Sequence, residues 1–172
     1  MLAMTAEACS ERQEPGTPTA ATLTSSSPAT TSAARPAVLP LDGVTPCELV
    51  TDAMRQQFAI DRPDAPNTLD PNAPGCTFIT TTAGQYLVTV VRNKGVAALG
   101  RPVTTTVSGF PAVEIQRPNI RVGHLSIDVA DGQRLDVEVQ RLSSDQPVDE
   151  VYRDTMTFAE AVLATLRQKL GR

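Results

Sequence analysis

Tryptophan is absent from this 172-residue chain, tyrosine occurs twice, histidine once and cysteine three times. So few aromatic rings leave little stacking surface for nucleobases or sugars. A single histidine removes the zinc sites that need a His pair, and no Cys-x-x-Cys spacing takes their place. Neither sign of charge dominates. Fifteen Lys and Arg stand against 19 Asp and Glu, giving −4, and the signs are interspersed, unlike the concentrated basic surface of a nucleic-acid binder. No apolar run approaches the roughly 18 residues of a membrane-spanning helix. Attachment to a membrane would have to come from something other than such a span.

What is present first is a tail. The length fits one domain of on the order of 100 to 150 residues plus an extension. Between Pro15 and Pro40 the residues are nearly all Ser, Thr, Ala and Pro, with Arg35 the only charge. Such a stretch cannot bury enough apolar surface to offset roughly 1 to 2 kcal/mol per residue of backbone entropy, so residues 9–40 are expected to form a disordered tether. It begins at Cys9, preceded by the small residues of TAEAC, which faintly match the end of a bacterial lipoprotein signal. Glu7 and Ala6 depart from that pattern, and residues 1–8 lack the basic start and apolar core of a signal peptide. They are read as the remnant of a longer leader. A chance cysteine in a cytoplasmic N-terminus is the alternative. The Ser/Thr/Pro composition favours export, with Cys9 as the lipidation point.

Residues 41–172 are expected to form a single α+β domain. In TPCELVTDAMRQQF, Thr45, Pro46 and Glu48 form a capping box, and Val50, Met54 and Phe58 make an apolar stripe, predicting a helix over about 45–58. The loop DRPDAPNTLDPNAPG is predicted irregular by its four prolines. GCTFITT and QYLVTVVR read as strands around an Ala83-Gly84 turn, and TTTVSGF and PAVEIQR as a strand pair bent at Pro111. In HLSIDVADGQRLDVEV, Leu125, Ile127 and Val129, then Leu135, Val137 and Val139, alternate with polar residues about Asp131-Gly132, the pattern of a hairpin with one buried face. The closing segment spaces Val148, Tyr152, Met156 (or Thr155), Ala159, Val162, Leu166 and Leu170 as one helix. The expected fold is an antiparallel sheet of five to six strands with N-terminal and C-terminal helices packed on it.

TPCELVT, GCTF, VSGFPAV, IDVADGQRLDV and FAEAVLATL, in this order over about Leu41 to Leu170, resemble an actinobacterial lipoprotein domain family of unknown function. Its members carry Asp-Pro-Cys, Cys-Thr-Trp and Gly-Leu-Pro-Ala motifs after a lipobox cysteine and a Ser/Thr/Pro-rich tether. The resemblance implies a lipid anchor and supplies no catalytic residue. Here Phe78 stands for the usual Trp. The cysteines usual around Gly123 or His124 and around Val151 or Tyr152 are both missing. Their joint loss implies that they pair with each other, which leaves Cys47 and Cys76 as the remaining pair.

Among candidate chemistries, His124, Ser126 and Asp128 supply the residue types of a hydrolase triad. Spaced by two along one strand, they stand about 6.6 Å apart on the face opposite Leu125 and Ile127, which reads as a solvated polar face. Cys47 at a helix N-terminus, with His124 as base, is a possible thiol nucleophile. Exported proteins seldom keep such thiols free, so a disulfide with Cys76 is preferred over catalysis or a metal. The three aspartates of the 61–70 loop lack the glycine and ligand alternation of a calcium loop. The expectation is therefore an exported, non-enzymatic cell-envelope protein, lipid-anchored to the membrane, without cofactor or metal. Its domain would bind an unknown small ligand or envelope protein, and no nucleic acid. An envelope assembly or secretion accessory is the alternative, and a small hydrolase or thiol enzyme a more distant one.

Overall fold

A computed structural model describes residues 34–82, 84–115, 121–141 and 147–171. Cys9, the expected leader remnant and most of the expected tether lie outside the described residues. The strands are β1 (Ala65–Asn67), β2 (Gly75–Thr80), β3 (Gly84–Val91), β4 (Thr105–Val107), β5 (Phe110–Glu114), β6 (Val122–Ala130) and β7 (Gln133–Arg141). They form one seven-stranded sheet in the order β1-β2-β3-β7-β6-β5-β4, antiparallel at every pairing. The helices are a short α1 (Asp52–Gln57) and the C-terminal α2 (Val148–Lys169).

The alternating pattern of the last two strands sets the two faces. Leu125, Ile127 and Val129 of β6 and Leu135, Val137 and Val139 of β7 are buried on the side where α2 packs. The inward side of β2 and β3 adds Cys76, Phe78, Tyr86, Val88 and Val90. Phe158 of α2 closes over Tyr86 with ring centroids 4.6 Å apart, and Phe58 completes the cluster at 5.0 Å from Phe158. Close approach of α2 depends on Gly123, where a Cβ would lie 2.1 Å from Thr155 Oγ1. That point also lies 3.2 Å from the Val151 carbonyl, so the two positions where the family resemblance expects a further cysteine pair face each other.

Several expectations are corrected. The single helix over 45–58 is instead a 3₁₀ turn, Pro46–Leu49, an extended Val50, and then α1. Among the described residues the Thr45 side chain makes no capping bond, and Glu48 pairs with Lys169 at 2.8 Å rather than folding back. The cap is Thr51, whose hydroxyl accepts from the Met54 N–H, so the chain starts a second helix where one continuous helix was expected. The sheet has seven strands because one short edge strand, β1, forms inside the loop expected to be irregular. Ala65–Asn67, inside the proline-rich loop, pairs with Thr77, Cys76 and Gly75, and Pro66 is tolerated because β1 is an edge. Pro111 does not break its segment. The turn lies at Ser108-Gly109, both with positive φ (48° and 85°), and Pro111 sits within β5 opposite Thr106 on β4, the other edge strand. In α2 the buried stripe runs through Val151, Thr155, Phe158, Val162 and Leu166, while Val148 is 42% exposed. Residues 34–40, assigned by composition to the tether, are packed on the domain. Leu39 is wholly buried and its N–H donates to the Val129 carbonyl at 2.8 Å.

Candidate functional site

The outward face of the sheet carries the residues singled out as a triad. β6 and β7 pair His124 with Glu138, Ser126 with Asp136 and Asp128 with Arg134, so alternation places six polar side chains in one patch. The face is opposite Leu125 and Ile127, as expected, but it is not solvated. Ser126 is 0% exposed and the His124 side chain 14%. The cause is topological. β3 and β4 lie on opposite sides of β7, β6 and β5, so the chain between them must cross those strands. Its 3₁₀ turn Val96–Leu99 packs on β6, and the Lys94 carbonyl accepts from Arg134 of this face at 2.7 Å.

The distances also differ from those expected of a flat strand. Ser126 Oγ lies 3.4 Å from His124 Nε2, and His124 Nδ1 lies 3.7 Å from Glu138 Oε2. The acid beside His124 is therefore Glu138 on β7. Asp128 instead accepts from Arg35 at 2.9 Å, and Arg35 also pairs with Asp131 at the β6–β7 turn. The side-chain hydrogen bond that Arg35 donates to Asp131 is the main reason its guanidinium stays protonated above its ordinary range. Glu138 was invisible as a partner in the sequence because cross-strand neighbours depend on register. The order nucleophile, imidazole, carboxylate is that of a hydrolase, but a wholly buried hydroxyl offers a substrate no approach.

Cys47 and Cys76 are joined by a disulfide, Cα atoms 5.1 Å apart, which ties the first 3₁₀ turn to β2. Cys47 is thus no free nucleophile, and His124 is not its base. A residue that sequence reasoning did not single out stands beside the bridge. Asp64, the residue before β1, brings a carboxylate oxygen within 4.8 Å of both sulfurs. Pairing of Pro66 with Cys76 delivers it there, a proximity that no motif spacing encodes. Arg55 of α1 pairs with one Asp64 oxygen, Oδ2, and its guanidinium also lies 5.6 Å from the Phe78 ring centre.

A shallow cleft of about 330 Å³ opens next to this region, lined by Arg55, Gln56, Ala59, Ile60, Asp61, Thr81 and Thr82. Its wall is fixed by two local devices. Ala59 takes a left-handed conformation (φ 53°) as α1 ends, with the Ile60 N–H returning to the Arg55 carbonyl at 2.8 Å. Asp61 accepts from the Thr81 hydroxyl and from the Thr81 N–H at 2.9 Å, and the hydroxyl bond chiefly holds its carboxyl below the usual range. The polar groups lining the cleft are those of Arg55, Gln56, Asp61, Thr81 and Thr82, with no His, Cys or Ser among them.

A family model described as "Protein of unknown function (DUF3558)" matches residues 4–164. No curated protein and no solved structure matches the chain.

Proposed function

This chain belongs to the DUF3558 family of proteins of unknown function, and we propose that it is an exported, lipid-anchored protein of an actinobacterial cell envelope. In this reading its α+β domain binds a small ligand or an envelope protein and catalyses nothing. The observation that carries the proposal is the Cys47–Cys76 bridge, since disulfides persist mainly in oxidising compartments outside the cytoplasm. Cys9 followed by a Ser/Thr/Pro-rich stretch supplies the means of anchoring, because several acyl chains hold a protein at a bilayer without a span.

Binding is favoured over catalysis by where the groups sit. The nucleophile-like Ser126 is closed off, while the open cleft holds no serine, thiol or imidazole. Arg35 fastens the start of the described chain to the β6–β7 turn. Thr81 and Thr82 follow β2 at the other end of the sheet, because β3 and β7 run with Val91 opposite Arg134 and Gly84 opposite Arg141. Eight residues of strand put the two ends about 25 Å apart, so the cleft lies at the end of the sheet away from the Arg35 ion pairs. Expressed with its native upstream DNA, the protein should fractionate with membranes and begin at an acylated Cys9, and Cys9→Ser should release it or block its processing. Equal solubility of wild type and variant, both retaining Met1 by mass spectrometry, would refute the anchor.

A further inference from the structure

Beside the bridge, three potential metal ligands from three separate segments converge: Cys47 in the first 3₁₀ turn, Asp64 just before β1 and Cys76 in β2. One donor atom from each lies within 4.8 Å of the other two. The Asp64 carboxylate is unevenly used. Oδ2 is engaged by Arg55, whereas Oδ1 is shut off from solvent and has no hydrogen-bond partner among the described residues. A buried carboxylate oxygen left in this state normally costs free energy, and a cation would relieve it.

We infer that the reduced form of this domain holds a thiophilic divalent ion of the zinc class through Cys47, Cys76 and Asp64. A dithiol supplies two electrons and two protons: the bond between the sulfurs breaks, both cysteines become thiols, and the dithiol closes its own disulfide. The ion then displaces the two thiol protons to water and takes both thiolates and one Asp64 oxygen. Two sulfurs on bonds of about 2.3 Å at a tetrahedral angle stand about 3.8 Å apart, near the van der Waals separation to which a reduced pair relaxes. The backbone that closes the bridge therefore needs little movement to close around an ion.

The donor set selects the ion. Soft thiolates favour zinc, cobalt or cadmium over calcium or magnesium, and three protein ligands leave a fourth position for water. Two thiolates and a carboxylate carry −3, which a divalent ion and the adjacent Arg55 guanidinium neutralise. Cys47 and Asp64 are half-buried, which leaves a path for the ion, while Cys76 anchors the site in the core. The same staple between the N-terminal segment and the sheet thus has two chemical forms, a covalent one when oxidised and a metal-bound one when reduced.

The test uses the full chain carrying Cys9→Ser, so that Cys47 and Cys76 are the only thiols. A water-soluble phosphine reduces the bridge, taking oxygen from water and leaving no competing thiol. Circular dichroism establishes that the reduced protein keeps its fold. Cobalt(II) is then titrated. The expected result is thiolate-to-cobalt charge-transfer absorption that saturates at one ion per chain and is displaced by zinc. Cys47→Ser and Cys76→Ser should each abolish the band, and Asp64→Asn should weaken binding at least about tenfold, as loss of one ligand of three implies. The oxidised protein should give no band. Absence of the band in the folded reduced protein, two chains per ion, Asp64→Asn binding as tightly as its parent, or a reduced protein already unfolded would each overturn the site.

Discussion

The contact between β6 and α2 can be broken with a single methyl group. In Gly123→Ala the new carbon would lie 2.1 Å from Thr155 Oγ1, 3.0 Å from Thr155 Cβ and 3.2 Å from the Val151 carbonyl oxygen, whereas ordinary contact begins at 3.4 Å. The hydroxyl must therefore retreat by about 1.3 Å, the difference between 3.4 and 2.1. Turning it away breaks its 2.7 Å bond to the Val151 carbonyl in a wholly buried position. The other recourse is to lift α2 from the sheet, which separates Phe158 from Tyr86. Overpacking costs about 1 to 3 kcal/mol and a lost buried hydrogen bond about 1 more, so destabilisation of about 2 to 4 kcal/mol is expected. At about 3 °C per kcal/mol for a domain of this size, calorimetry should register a melting point lower by about 6 to 12 °C. Thr155→Ala removes the worst contact but leaves those to Cβ and to the carbonyl, so the double variant should regain about half the loss, a coupling of about 1 kcal/mol or more. Gly123→Ala within about 0.5 kcal/mol of the parent, or strict additivity in the cycle, would refute this account of the interface.

Reducing the Cys47–Cys76 bridge in metal-free buffer should lower stability by up to about 3.6 kcal/mol, the chain-entropy value for a ring spanning 29 residues of separation, and thiol labelling should find neither cysteine before reduction. An unchanged melting point after complete reduction would dismiss the staple. Arg92 donates to the carbonyls of Leu41 (3.2 Å), Val44 (2.9 Å) and Pro71 (2.9 Å), binding the N-terminal segment and the proline-rich loop to the end of β3. Arg92→Ala should cost about 2 kcal/mol in urea unfolding, and Arg92→Lys nearly as much because an ammonium cannot span three acceptors. Burial pushes the Tyr86 hydroxyl above its ordinary value of 10.0, against the opposing influence of Arg141. The folded state therefore holds that proton more tightly than the unfolded chain, so stability is complete below pH about 10 and declines as pH rises beyond it. Tyr86→Phe should remove that alkaline component, and an identical decline in both proteins would show that Tyr86 is not its source.

The strongest local patterns determined the elements that carry them. Period-two alternation through Leu125 to Val139 with Asp131-Gly132 between is sufficient for a hairpin, and the 3.6-residue spacing from Thr155 to Leu166 for a helix, because both report one buried face within one segment. The N-terminal segment shows where such reasoning stops: Thr51 caps as well as Thr45 could, and which one is used depends on Glu48 reaching Lys169 and Cys47 reaching Cys76. An edge strand of three residues is too short for any period, so β1 is not legible in the proline-rich loop and exists only because β2 offers it a partner. The candidate sites depend still more on long-range packing. Ser126 looks solvent-facing by alternation, yet it is buried because a crossover demanded by strand order packs on β6. Asp64 is one aspartate of an acidic loop until β1 pairs with β2 and carries it beside two sulfurs. Periodicity describes what a segment can hide; which residues are brought together, and which are covered, is decided by segments that pack on them from far along the chain.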